Sequence, residues 1–124
     1  MSEKYPKPNV LSALCPSRTI LNHVTSRWAV LIFVVLQHET LRFSQIRRKI
    51  DGVSERMLSQ TLKSLENDGF VVRRSYDVVP PHVEYSLTPI GGEMSSRLLE
   101  MVRFIEDNLG EIVKPEAIAK QIAS

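Results

Sequence analysis

Two short amphipathic segments separated by one glycine constrain the fold of this chain more than any other feature. The first, within LRFSQIRRKIDG from Leu41, places three apolar side chains on one helical face: Phe43, Ile46 and Ile50. The second, within residues 54–68, does the same with three leucines: Leu58, Leu62 and Leu65. Ser44 and Ser54 are the predicted N-caps, and Gly52 breaks the chain between the two segments. Two short helices joined by a tight glycine-containing turn are typical of a helix-turn-helix motif.

The side of the second helix that faces away from its leucines is polar. At about 100° per residue, helical geometry collects a set of hydrogen-bonding side chains there: Arg56, Ser59, Gln60, Lys63 and Asn67. Arg and Lys bind guanine or phosphate, Gln and Asn bind adenine, and Ser binds either. This composition favours a helix that contacts base edges, and the alternative is an ordinary solvated face.

Basic residues are concentrated in the same part of the chain. Residues 42–74 hold eight Lys or Arg against four Asp or Glu, a net charge of +4, whereas the whole chain carries +2 and its remainder therefore −2. A basic middle predicts a surface that faces a polyanion, and the alternative is a set of charges scattered over a solvated face.

A β-hairpin is predicted directly after Gly69, which is placed to end the second helix. Residues 70–76 read as one strand, and alternating apolar and polar residues from His82 onward read as the next. Pro80 and Pro81 cannot donate hydrogen bonds to a ladder, so they are predicted to lie in the connection, outside the paired strands. A hairpin directly after a helix-turn-helix is a wing, and the tip of a wing is commonly placed against the DNA backbone or minor groove.

Two helices are predicted behind a flexible arm of residues 1–14. Pro16 suits the first position of a helix that extends to about Thr25. Ser26 is the predicted N-cap of a second helix, although the apolar run of residues 28–36 fits a buried parallel strand equally well.

A long helix is predicted after the hairpin, with Thr88 as N-cap and Pro89 as its first residue, extending to about Leu109. It carries a stripe of apolar side chains: Met94, Leu98, Met101, Val102, Ile105 and Leu109, with Leu99 and Phe104 beside it. The stripe predicts a dimer interface, and the alternative is packing on its own domain. Residues 15–110 are expected to form the domain, followed by a C-terminal helix or tail at 111–124.

Composition points to the cytoplasm. The longest apolar run is much shorter than the roughly 20 residues that a membrane-spanning helix needs, so no membrane partner is expected. The chain has 1 Cys, which excludes an internal disulfide and fits a reducing compartment.

Three segments carry a family resemblance through their order and spacing: CPSRTILNHVTSRW from Cys15, RFSQIRRKIDGVSERMLSQTLKSLENDGFVVRRSY from Arg42, and VPPHVEYSLTPIG from Val79. Together they resemble the HxlR-type winged helix-turn-helix transcriptional regulators, and most closely the YtfH-like branch of that family. The resemblance implies an α+β, mainly helical fold: a three-helix core, a β-hairpin wing, and additional N- and C-terminal dimerisation helices. It also implies that Trp28 belongs to a core helix.

The function implied by the resemblance is that of a bacterial homodimer that binds double-stranded DNA at an inverted repeat through helix 54–68 and wing 76–83. The predicted DNA-binding residues are Arg27, Arg42, Ser44, Arg47, Ser54, Arg56, Ser59, Gln60, Lys63, Arg73, Arg74, Tyr76 and His82. Arg56 and Gln60 are expected to discriminate bases, while the flanking basic residues bind phosphate.

Cys15 is the candidate sensor of a small oxidant or electrophile, to which several members of the family respond. It lies just before a proline-started helix with Arg18 close by, so helix amides and a cation are expected to lower the pKa of its thiol. Oxidation would then give an inter-subunit disulfide, a mixed disulfide or an electrophile adduct. The alternative is a small buried hydrophobe with no sensing role.

Other classes of function are less well supported. The histidines lie in different predicted elements, no pair has the spacing of metal ligands, and no glycine loop for phosphate is present, so no enzyme activity, metal or cofactor is expected. Two alternatives stay open. One is a winged domain that contacts protein or RNA, and the other is a MarR-like regulator that binds a small ligand near Trp28, Met101 and Phe104.

Overall fold

The computed structural model describes residues 7–113, 116 and 120–122. Within them the chain forms helices α1 (Pro16–Val24), α2 (Arg27–Leu36), α3 (Phe43–Lys49), α4 (Glu55–Asn67), α5 (Pro89–Asp107) and α6 (Leu109–Ile112), and strands β1 (Leu41–Arg42), β2 (Val71–Tyr76) and β3 (His82–Leu87). The predicted winged helix-turn-helix fold is confirmed. The last helix predicted within residues 111–124 lies for the most part outside the described residues.

The apolar run of residues 28–36 is a helix and forms the centre of the core. α2 buries side chains on more than one side: Ala29, Val30, Ile32, Phe33 and Leu36. It packs against both α4 and α5, which explains why its sequence is apolar nearly all round. The strand alternative is therefore wrong, and Trp28 packs against this core as the family resemblance implies.

The helix-turn-helix unit has the glycine stops that its sequence predicts. Gly52 in the turn and Gly69 after α4 both have φ of +86°, a conformation that favours glycine. Ser54 Oγ accepts from the Met57 N–H at 3.1 Å, so the predicted N-cap of α4 is confirmed. At the other end, the Phe70 N–H donates to Leu65 O at 2.9 Å, which is the 6→1 hydrogen bond of a Schellman motif.

Two predicted caps differ from the structure. Ser44 is not an N-cap, because α3 begins at Phe43 and Arg42 holds the extended N-cap position, with φ −81° and ψ 160°. Arg42 is extended because it belongs to β1, which pairs with β3. Ser26 does hold the N-cap position of α2, but its hydroxyl donates back to His23 O at 3.0 Å and does not cap the helix.

The wing is the outer part of an antiparallel sheet with strand order β1-β3-β2. β2 and β3 pair from Val71 opposite Leu87 to Tyr76 opposite His82. Pro80 and Pro81 lie in the connection, so their predicted place outside the ladder is confirmed. The short β1 was not predicted from the sequence.

A threonine clasp closes the base of the wing. Thr88 Oγ1 donates to Gly69 O at 2.6 Å and accepts from the Gly91 N–H at 3.0 Å. The Thr88 N–H donates to Phe70 O at 3.0 Å. Gly91 sits so close to this junction that an added Cβ would lie 2.0 Å from Phe70 O. The end of α4 and the start of α5 are therefore held together at one residue.

α5 covers its own domain along only part of its apolar stripe. Leu98 is buried, and Ser95 is fully buried with its hydroxyl donating to Phe33 O at 2.8 Å. Farther along, Phe104 is 64% exposed and Met101 is 44% exposed. The helix ends at Asp107, slightly before the predicted end, and the short α6 follows.

No single helix among the described residues is long and apolar enough to span a membrane. α1 and α2 pass that test of length and composition only when taken together, and they are bent by 70° to each other.

Candidate nucleic-acid interface

The polar face of α4 is accessible along its whole length. Leu58, Leu62 and Leu65 are at most 1% exposed and anchor the opposite side of the helix in the core. The side chains predicted to meet DNA are all exposed: Arg56, Ser59, Gln60, Lys63 and Asn67. Hydrophobic burial thus fixes the rotation of α4, and that rotation points the polar set outward.

α3 adds basic residues beside the start of α4. Arg42, Ser44 and Arg47 are exposed, as is Arg48, which is not among the predicted DNA-binding residues. A crevice between the two helices is lined by Phe43, Ser44, Arg47, Arg48 and Glu55. Arg47 Nη1 donates to Glu55 Oε1 at 2.9 Å across it. A pairing of two residues on different helices leaves no periodic signal in the sequence, so the contact with Glu55 was not predicted.

Ser54 caps the N-terminus of α4 with its side chain. Its hydroxyl is the acceptor for the first turn of that helix, although the residue remains exposed at the leading end. Its hydroxyl hydrogen, the second lone pair of Oγ and its backbone stay available for the predicted contact with DNA.

Arg27 contacts Trp28, and Trp28 in turn lies beside the turn between α3 and α4. Arg27 Cζ is 4.5 Å from the centre of the Trp28 ring, a cation–π contact. The same indole reaches the turn, since a Cβ at Gly52 would lie 3.9 Å from Trp28 Cη2. Arg27 is exposed and can therefore add a cation beside the turn between α3 and α4.

The wing presents its cations on two faces. In the hairpin register Arg74 lies opposite Glu84, and Arg73 lies opposite Tyr85 on the other face. Tyr76 and His82 stack at the far end of the ladder, with ring centroids 4.7 Å apart. Beyond them Val79 is 99% exposed, so the tip of the wing is apolar, which was not predicted from the sequence. The structure therefore does not bring Arg73 and Arg74 to one face.

Cys15 occupies the N-cap position of α1 and is partly exposed. The pKa of its thiol lies below the ordinary value because Ser17 Oγ and the Asn9 N–H donate to the sulfur, at 3.0 and 3.3 Å, and the Ser17 backbone adds to the effect. Ser17 lies in the first turn of α1, so one helix amide contributes to the lowered pKa. Arg18 is not among the causes of the lowered pKa of Cys15, and its guanidinium donates to Val10 O and Leu11 O at 3.1 and 2.8 Å.

The segment before α1 is held by these bonds. Asn9 and Ser12 form hydrogen-bonded turns that lead to Cys15. A hollow of about 610 Å³ lies between this segment and the start of α1, with Leu14 and Cys15 in its wall. The flexibility predicted for residues 1–14 stays a prediction.

The histidines lie apart in the fold. His23 Nδ1 is 2.6 Å from Asp68 Oδ2, which joins α1 to the end of α4. Among the described residues no group of three or more His, Cys, Asp or Glu is arranged to hold a metal ion. Of the side chains suggested for a small-ligand pocket, Trp28 packs on the core whereas Met101 and Phe104 are exposed on α5.

A sequence profile described as HxlR-like helix-turn-helix matches residues 23–113. The chain belongs to this family. Its members are helix-turn-helix transcriptional regulators, which are not a class of enzyme.

Related proteins agree with this assignment. The regulator is 53% identical over 113 residues, 91% of this chain and 90% of the relative, to YtfH of Escherichia coli (strain K12), an uncharacterized HTH-type transcriptional regulator. The solved structure of the transcriptional regulator ytfH from Salmonella typhimurium superimposes with a TM-score of 0.79, at 52% identity, covering 93% of this chain and 98% of that one. The redox regulator HypR in its oxidized form superimposes with a TM-score of 0.70, at 36% identity, covering 76% and 97%.

Proposed function

We propose that this HxlR-type regulator is a cytoplasmic homodimer that binds an inverted-repeat operator in duplex DNA, with α4 in the major groove and the wing against the backbone or minor groove. The observation that carries the proposal is the polar face of α4, exposed while the leucines behind it are buried. Residues of this type on a helix that follows a tight turn match the chemistry of base edges and phosphates.

The charge around α4 supports duplex DNA over a protein partner. Arg42, Arg47, Arg48 and Lys63 are exposed on or beside the two helices, and Arg27 lies near their turn. Each cation that neutralises a phosphate releases bound counterions, so affinity is expected to fall steeply with salt.

The exposed apolar surface supports a homodimer. The C-terminal part of α5 and α6 present large side chains to solvent: Met101, Phe104, Ile105, Leu109 and Ile112. Leu14 before α1 is 95% exposed and Leu21 on α1 is 44% exposed. A second copy of the chain would cover such a surface and place two copies of α4 about one helical turn of DNA apart, roughly 10 bp.

The direct test is fluorescence anisotropy with the duplex upstream of the regulator's own gene and with a shuffled duplex of the same composition. We expect tighter binding to the first, by at least about 10³-fold. Gln60→Ala is expected to reduce that ratio, because it removes a base contact. Lys63→Ala is expected to weaken both duplexes alike and to flatten the salt dependence by about one unit of slope. Equal losses on the two duplexes for both variants would contradict the assignment of roles.

We propose that oxidants or electrophiles regulate DNA binding by reacting with Cys15. It is supported by the depressed pKa of the thiol and its partial exposure, and by the similarity to HypR, which is named a redox regulator. The test compares DNA binding of the parent and Cys15→Ser after diamide or quinone treatment and again after reduction. A loss of response in Cys15→Ser is expected, and an unchanged response would remove the thiol from the mechanism.

The cause of the lowered pKa has its own test. Ser17→Ala removes the main hydrogen bond to the sulfur and should raise the pKa of Cys15. A higher pKa leaves less thiolate at neutral pH, so alkylation by iodoacetamide should be slower in the variant near pH 7 and should become equal at high pH. Ser96→Ala, a distant exposed change on α5, is the control and should leave the rate profile unchanged.

A further inference from the structure

The acidic residue at the start of α4 lies on a surface that is otherwise basic. Glu55 is the first residue of α4, and its side chain is 72% exposed. It shares the crevice between α3 and α4 with Arg47 and Arg48. A carboxylate here repels phosphate, so it works against the affinity that the surrounding arginines provide.

Stability alone gives a small reason for this residue. A carboxylate at a helix N-terminus stabilises the helix by about 0.3–1 kcal/mol, and an exposed ion pair adds roughly 0–1 kcal/mol. The pair with Arg47 is of that exposed kind, since the two side chains are 45% and 72% exposed. A group that adds little stability and lowers general affinity for DNA is suited to discrimination between sequences.

The geometry of the pair leaves the carboxylate available. Arg47 Nη1 reaches Oε1 at 2.9 Å, and among the described residues this is the hydrogen bond that Glu55 accepts with its side chain. Oε2 therefore keeps its acceptor capacity while Arg47 limits the rotamers of the side chain. Glu55 also lies one turn before Ser59 on α4, next to the polar face.

We propose that Glu55 is a specificity-determining residue: its carboxylate, positioned by Arg47, accepts a hydrogen bond from the N4 amine of a cytosine in the major groove. The inference rests on the proposed binding of α4 to duplex DNA. In this fold type the N-terminal residues of the second helix contact base edges, and Glu or Asp accepts from cytosine N4. A thymine at the same position presents the O4 acceptor, which the carboxylate repels.

Selection from a randomised duplex library tests this without knowledge of the operator. The full chain is expected to enrich one conserved cytosine in each half-site. Replacement of that C·G pair by T·A should weaken binding by between about 5-fold and 150-fold, and Glu55→Ala should bring this ratio close to one while preferences at other positions persist. Arg47→Ala should lower the same ratio partly, because it frees the carboxylate to rotate.

Glu66→Ala is the matched control. Glu66 lies on the same side of the same helix, about 16 Å farther along the axis. Glu66→Ala removes one negative charge, as Glu55→Ala does, but at a distance from the start of α4. It should strengthen binding to all duplexes slightly and leave the selected sequence unchanged. If Glu55→Ala retains the parent's preference at every position, the proposal is wrong and Glu55 only stabilises the N-terminus of α4. If the parent chain itself enriches no sequence, operator binding fails, and that failure is visible before any variant is compared.

Discussion

The two ends of α5 have different surroundings. At its start, Gly91, Ser95 and Leu98 are buried against the junction of α4 with β2 and against α2. Toward its end, Met101, Phe104 and Ile105 are all more than 40% exposed. One amphipathic helix therefore serves two purposes: its first half stabilises the winged domain, and its second half presents a surface for the proposed second copy.

The largest effect is expected at Gly91. In Gly91→Ala the new Cβ would lie 2.0 Å from Phe70 O, and backbone must move to relieve the clash. We expect a loss of about 3 kcal/mol or more in the free energy of unfolding, measured by urea denaturation. Gly92→Ala is the neighbouring control, since nothing lies within 4 Å of its new Cβ, and it should stabilise the helix by about 0.5–1 kcal/mol. Similar effects of the two changes would contradict the close approach.

The next largest effect is expected at Phe104, on the dimer dissociation constant and not on the stability of the single chain. Phe104→Ala removes a ring that is 64% exposed in the single chain, so the stability of an isolated chain should change little. A buried aromatic at a dimer interface is worth about 2 kcal/mol, so the dimer dissociation constant should rise roughly 30-fold. Sedimentation equilibrium measures it. Arg103→Ala beside it is the control, and a sedimentation profile that is identical for both variants and the parent would refute the interface.

The smallest of these effects is expected at Ser95. Its hydroxyl, fully buried, donates to Phe33 O at 2.8 Å and joins α5 to α2. Ser95→Ala should cost about 1 kcal/mol of unfolding free energy. Ser96 donates to Gly92 O within its own helix and is exposed, so Ser96→Ala should change stability by less than about 0.5 kcal/mol. A larger cost at Ser96 than at Ser95 would contradict the stabilising contact of Ser95 with α2.

Much of the fold could be predicted because its signals are local. The leucines of α4, the caps at Ser54 and Thr88 and the stop at Gly69 each depend on residues within a few positions of one another. The two adjacent prolines of the wing are equally local, since they exclude a ladder wherever they occur.

The misses share a different cause, which is contact between distant parts of the chain. β1 has only 2 residues, too few for any periodic pattern, and it exists because β3 pairs with it. That pairing extends Arg42 and moves the N-cap of α3 away from Ser44. Arg18 has carbonyl partners in the preceding turns, and Glu55 has a partner on another helix. The kinds of side chain on the candidate site could be predicted from the sequence, whereas the partners of Arg18 and Glu55 could be identified only from the tertiary structure.

The threonine clasp has a consequence for how this regulator can diversify. Because Thr88 bonds both Gly69 and Gly91, the hairpin is held at its base, at the end opposite to its tip, to the residues that follow α4 and begin α5. Insertions, deletions or grafted sequences at the tip, residues 77–81, should therefore leave the helices in place. The tip is therefore the part of the wing whose length and sequence can change while the paired strands and the helices keep their positions.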